Sequence, residues 1–181
     1  MMSDIAEELQ AIRHELDRLK SREAIRQQLA RYGRGQEWLD VTLMNDVFFE
    51  DADIDFGFFK GVWRDYRPIL MQIEAAGEST FHMCACEQIE FDGDDKAHVE
   101  VYGLAGGRGG GFTQIYGGRY MHRFERREGV WKSARCHYVL DWTLRQPEDK
   151  AMNEALTGIN KITHRSPENP LFRHMGIEST R

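Results

Sequence analysis

Four alternating runs follow one another down the second half of the chain: FHMCACEQIEF (81–91), KAHVEVYGLA (96–105), FTQIYGGRYMHRFER (112–126) and VWKSARCHYVLDWTL (130–144). Alternation with period two marks a strand with one buried face. The breaks between the runs are short and have turn composition: Asp92-Gly93 within DGDD, the glycine-rich GGRGGG (106–111), and REG (127–129). Asp-Gly between alternating runs is a strong hairpin signal, and GGRGGG reads as a mobile hairpin loop. Connections this short leave no room for a crossover, so consecutive strands pair antiparallel.

Helices precede this meander. Ile5, Leu9, Ile12, Leu16 and Leu19 are spaced 4, 3, 4, 3 within a helix predicted over residues 4 to 36. Such a heptad-type stripe serves either a coiled coil or packing on the chain's own domain. After Leu19 the apolar positions shift phase to Ile25, Leu29 and Tyr32, and Ser21 is placed to cap a second helix, so a break is predicted there. Gly33 and Gly35 weaken the far end, and Asp40 is the predicted N-cap of a short helix through VTLMNDVFF. DADIDFGFF alternates, and KGVWRDY leads into RPILMQIEAAG, a predicted short helix with Pro68 in its first turn. Helices first and an antiparallel meander after predict an α+β fold with the helices on one face of a curved sheet. The chain divides into an N-terminal helical extension (1–20), a central domain (21–145) and a C-terminal tail (146–181) holding Pro147, Pro167 and Pro170. Within the tail, PEDKAMNEALTGINKI reads as helix. Leu171, Phe172 and Met175 either anchor it over a pocket or a neighbouring subunit, or belong to a loosely ordered terminus.

Bulk properties narrow the function. A chain of 181 residues is one ordinary domain, and its net charge of −6 disfavours nucleic acid, whose phosphates call for a basic surface. No apolar run reaches bilayer length, so no membrane partner is expected, and MMSDIAEELQ has neither the basic nor the apolar region of a secretory signal. Three cysteines, an odd number, suggest free thiols and a reducing, cytoplasmic location.

Several constellations carry chemistry on paper. His82, Cys84 and Cys86 share one strand face, but neighbours there stand roughly 6.5–7 Å apart, too wide for one tetrahedral zinc, so no metal is expected. Asp51, Asp53 and Asp55 begin like a calcium loop that Phe56 and Val62 then break. GGRGGG lacks the Lys-Ser/Thr of a phosphate loop, and Arg108 at its centre reads as a solvated loop residue. Acid–base chemistry remains, with a strand histidine, His82, and a carboxylate, Glu37, at the end of the first helical segment. A carboxylate can orient an imidazole, fix its tautomer and stabilise the imidazolium. Nothing local brings the two together. Alone, Glu37 reads as a solvated helix-end residue and His82 as a structural histidine.

SREAIRQQLARYGRG, VFFEDADIDF, STFHMCACEQIEFDGD and GGRYMHRFERREGVWKSARCHYVLDW, in that order over residues 16–145, resemble the SnoaL-like, scytalone dehydratase-like branch of the nuclear transport factor 2-like superfamily. The resemblance implies a cone-shaped barrel of strongly bent antiparallel sheet wrapped around helices. It further implies a His–carboxylate pair that needs no cofactor. The histidine of the Thr-x-His block is His82, and Glu37 stands where the family has aspartate. Phe56 stands where scytalone dehydratase has a catalytic tyrosine. Arg135 neighbours the place of an arginine that the family's dehydrochlorinase uses, but strand parity turns it away from Cys136. Tyr116 with Tyr120, and Cys136 with Tyr138, share strand faces, and Tyr32 precedes Glu37 on the helix. With Phe56 these residues either wall an aromatic-binding pocket or pack the sheet on the helices. The expected function is a cofactor-independent lyase for a small aromatic or polycyclic hydroxylated substrate, by loss of water or another small group or by retro-aldol loss of a small aldehyde. The alternatives are an isomerase or cyclase and a non-catalytic binding module. A homodimer or homotrimer is the expected assembly.

Overall fold

The computed structural model of the protein describes residues 2–155. Helices α1 (Met2–Trp38) and α2 (Val41–Val47) lead into strands β1 (Phe48–Asp55) and β2 (Lys60–Val62) and helix α3 (Trp63–Ala76). Four long strands follow, β3 (Ser79–Phe91), β4 (Lys96–Gly109), β5 (Phe112–Arg127) and β6 (Val130–Pro147), then a short helix α4 (Lys150–Ala155). The α4 segment falls inside the predicted tail helix; Leu171, Phe172 and Met175 lie outside the described residues.

The strands form one curled α+β sheet in the order β2-β1-β6-β5-β4-β3. The meander from β3 to β6 is antiparallel, as its tight turns require. The sheet as a whole is mixed, however, because β1 pairs parallel with β6, and it stays open between β2 and β3. No alternation pattern encodes that pairing, which joins strands far apart in the chain.

The inner face and the helices it wraps supply the core. Along β4 burial alternates cleanly, with Ala97, Val99 and Val101 inside and Lys96, His98 and Glu100 outside. Ile25, Leu29 and Tyr32 of α1, Met44 and Val47 of α2, and Trp63, Tyr66 and Leu70 of α3 meet that face. Phe48 stacks on Trp63 with ring centroids 4.2 Å apart. Burying side chains of this size stabilises by about 1.5–3 kcal/mol each. The Tyr120 ring occupies the space beside Gly103, where a Cβ would stand 2.2 Å from the ring. Gly103→Ala is therefore expected to destabilise by about 1–3 kcal/mol in chemical denaturation, through displacement of Tyr120. An unchanged midpoint would show that the ring has room to move.

Four local expectations are corrected. The helix does not break at Ser21, which is buried where α1 passes from outside the domain to inside the sheet. The phase shift of the apolar stripe records that passage. Helix α3 begins at Trp63, so Pro68 lies beyond its first turn; burial of Trp63 and Tyr66 extends the helix toward its N-terminus. GGRGGG is strand up to Gly109, paired with β5 across Arg108 and Thr113, and only Gly110 and Gly111 turn. Cys86 sits in a bulge at φ 58, so it leaves the face that His82 and Cys84 share and turns to solvent. Among the described residues, no helix is long and apolar enough to cross a membrane.

Candidate functional site

His82 lies on β3, an edge of the sheet, opposite Ala105 of β4. Helix α1 comes close enough that a Cβ on Gly33 would stand 3.0 Å from the His82 carbonyl oxygen. One turn further along α1, Glu37 Oε1 accepts the His82 main-chain N–H at 2.5 Å. The glycine that weakens the helix thus admits the strand, and the carboxylate caps an N–H that no further strand takes.

Glu37 therefore meets His82 at the backbone. The carboxylate at the ring is Glu74, in the last turn of α3, with Oε1 3.4 Å from His82 Nε2. Both side chains are withdrawn from water, at 7% and 9% exposure. A carboxylate at Nε2 favours the tautomer with the proton on that nitrogen and leaves the Nδ1 lone pair available. Nδ1 is buried and has no hydrogen-bond partner, and neither has the buried Thr80 Oγ1 two residues earlier on the same face.

Beside them opens a cleft of about 350 Å³, lined by Glu74, Thr80 and His82, by the small residues Ala105 and Gly107, and by Phe112, Gln114 and Tyr116. Tyr116 donates to Gln114 Oε1 at 3.1 Å. The arrangement offers one basic nitrogen, a hydroxyl, an amide and an aromatic wall. That set can exchange a proton with a hydroxylated ring compound.

Of the other predicted site residues, Tyr116 lies in this cleft, Tyr32, Tyr120 and Cys136 belong to the buried core, and the half-buried Phe56 and Tyr138 pack against it. Tyr32 meets Tyr120 edge-on at 5.4 Å, and Tyr120 meets Tyr138 at 4.7 Å. Phe56 stacks on Tyr138 at 5.4 Å. Burial pushes the Tyr32 and Tyr120 phenols well above their ordinary range and keeps both neutral. Cys136 is fully buried and its thiol is held far above the usual value by desolvation; burial likewise pushes Cys84 up to about 12. Neither thiol is an activated nucleophile. Arg135 faces away from the core and pairs with Asp53 at 3.4 Å.

Sequence reasoning missed two groups. Glu74 was detectable, because it continues the buried stripe Trp63, Tyr66, Leu70 of an amphipathic helix, where a carboxylate is out of place. His122 on β5 is the other. Its Nδ1 lies 3.0 Å from Ser133 Oγ and its Nε2 3.9 Å from Cys136 Sγ. Ser133 gives its own proton to the Arg135 carbonyl at 2.8 Å, so it accepts from His122 Nδ1–H. Burial lowers the His122 pKa to about 3, which leaves the ring neutral.

Solved structures share the fold. A type 2 hexachlorocyclohexane dehydrochlorinase, LinA, aligns at TM-score 0.67 and 22% identity over 75% of this chain and 94% of that one. A candidate scytalone dehydratase from Novosphingobium aromaticivorans aligns at 0.64 and 21% identity over 74% and 92%. An NTF2-like protein with a cystatin-like fold, also from Novosphingobium aromaticivorans, aligns at 0.59 and 20% identity over 82% and 96%. No curated protein sequence matches significantly. The SnoaL-like domain matches residues 17–137, from the inner half of α1 to the middle of β6, a span that contains Glu37, Glu74 and His82. With that span matched and the curled sheet common to these structures, the chain belongs to the SnoaL-like domain family.

Proposed function

We propose that the protein is a cofactor-independent lyase for a small hydroxylated aromatic substrate, with His82 as the proton-transfer group and Glu74 as the carboxylate that orients it. The observation that carries this reading is the state of the His82 ring. One nitrogen faces a buried carboxylate at 3.4 Å, and the other is buried without a partner in the wall of a cleft. A histidine kept for structure alone has little reason to leave a buried nitrogen unpaired.

Two routes suit the arrangement. In elimination, Nδ1 takes a proton from carbon, the electron pair forms a double bond, and the leaving hydroxyl departs as water with the proton that Nδ1 returns. In a retro-aldol step, Nδ1 takes a hydroxyl proton, the O–H pair becomes C=O, the adjacent C–C bond breaks and the small aldehyde leaves. The carbanion on the aromatic fragment then receives the proton from the imidazolium. Both need one group that first accepts and then donates, which a carboxylate-supported histidine does. A cleft of about 350 Å³ with Phe112 and Tyr116 in its wall suits a flat molecule of one or two rings. Lyases of the superfamily to which the sequence is similar, among them a dehydratase and a dehydrochlorinase, fit the same reading.

The test is turnover of hydroxylated aromatic compounds by dialysed protein, read by product mass. Loss of water or of a small aldehyde, dependent on His82, supports the lyase. A product of unchanged mass replaces it with an isomerase, and conversion independent of His82 refutes the assignment.

A further inference from the structure

The outer half of α1 packs on the domain with its polar side. His14 Nε2 lies 3.6 Å from Asp94 Oδ1, the Asp17 carboxylate accepts from Arg126 at 3.0 Å, and Arg18 covers the Phe91 ring at 4.7 Å. Ile5, Leu9, Ile12, Leu16 and Leu19 all remain exposed, from 48% for Leu16 to 62% for Leu19. At 3.6 residues per turn, this stripe lies about half a turn around the helix from the contacting residues. The apolar face that would normally bury against the domain is thus the face turned away from it.

We infer that this face is a self-association surface on which a second copy of the chain lays its own α1 in parallel. With Leu9 and Leu16 at position a of a heptad, Ile5, Ile12 and Leu19 fall at d. Position g then holds Glu8 and Glu15, and position e holds Arg13 and Lys20. In a parallel pair each g residue faces the e residue five positions later on the other helix. Glu8 meets Arg13 of the second copy and Glu15 meets Lys20, so every such contact joins opposite charges. An antiparallel pair would set Glu8 against Glu15 instead. All four charged residues are exposed, and the domain lies behind the helix, out of the way of the approaching partner. Three heptads are marginal as an isolated coiled coil, but here the helix is already held in place by the domain.

The test uses the full chain, with circular dichroism to confirm that each variant folds. Leu9→Asp with Leu16→Asp is expected to at least halve the mass in solution measured by light scattering. Glu8→Lys with Glu15→Lys is expected to weaken association at least tenfold, and adding Arg13→Glu with Lys20→Glu is expected to restore it. For direction, Leu19→Cys is placed in a Cys86→Ser background, since Cys86 is the exposed native thiol. In a parallel pair Leu19→Cys crosslinks to itself on oxidation. A monomeric wild-type chain, an unchanged mass in the aspartate variant, failure of the charge swap to restore association, or crosslinking only between Ile5→Cys and Leu19→Cys chains would each overturn the inference.

Discussion

Exchange of His82 for glutamine is expected to lower kcat at least about a hundredfold, with Glu74→Gln lowering it at least about tenfold and Glu37→Gln by no more than a small factor. The ordering follows from where each carboxylate touches the histidine. Glu74 stands at the ring, 3.4 Å from Nε2, where it fixes the tautomer and offsets the charge that the ring acquires in mid-reaction. The glutamine amide has no charge to offer, so the proton-accepting step weakens while the cleft keeps its shape; kcat falls and KM changes little. Glu37 stands at the backbone and accepts the His82 N–H. Glutamine retains an oxygen there, so the strand stays capped and the ring stays in place. Alanine removes the acceptor, and its effect is expected on stability, about 1–3 kcal/mol, more than on chemistry. Steady-state kinetics with matched thermal melts separates the two. If Glu37→Gln abolishes turnover and Glu74→Gln does not, the ring partner has been misassigned and the position that the family pattern marks is the functional one.

The sheet was legible because its information is local. Strict alternation in β4 and the Asp92-Gly93 turn, with Gly93 at φ 72, depend on neighbours in the chain. The parallel pairing of β1 with β6 depends on how the open sheet curls over the helices, which no window of sequence contains. Ser21 illustrates a different limit. A small polar residue at a phase shift reads equally as a helix cap or as a tight buried contact, and only tertiary packing decides. The glycine-rich turn misled for the opposite reason. Glycine favours turns, but a neighbouring strand that continues to pair holds Gly106, Gly107 and Gly109 extended. At the site, the Thr-x-His block located His82, and the order of blocks drew attention to Glu37. Their meeting through the main chain could not be foreseen from side-chain chemistry. Glu74 lies eight residues before His82 in sequence, across a helix end and a turn. Its signal was a charge on an apolar helix stripe.

Acid is expected to unfold the protein partly through His122. The folded pKa is about 3, depressed by burial, against about 6.5 for the exposed imidazole of the unfolded chain. The unfolded state therefore binds a proton that the folded state refuses throughout this window. The contribution is fully present above about pH 6.5 and is lost as the pH falls toward 3, at about 1.4 kcal/mol per pH unit and roughly 5 kcal/mol in all. The cause is burial: among the described residues, no carboxylate is one of the groups that touch the ring to offset the charge of an imidazolium. Its neighbours are the rings of Tyr32, Phe48, Tyr120 and Phe124, the Cys136 thiol, and a Ser133 hydroxyl whose proton is already committed to the Arg135 carbonyl. A His122→Leu variant starts less stable at neutral pH, because Ser133 and Cys136 lose their partner. Its stability should nonetheless fall less steeply with acid. The carboxylates are common to both proteins, so the difference between their denaturation free energies isolates the histidine. That difference should shrink steadily from pH 6.5 to pH 4, and parallel curves would mean that His122 binds its proton in the folded state. The histidine is thus stabilising while neutral and a point of failure once charged. This sets it apart from His82, a residue of the cleft wall whose Nε2 faces a carboxylate able to share the charge.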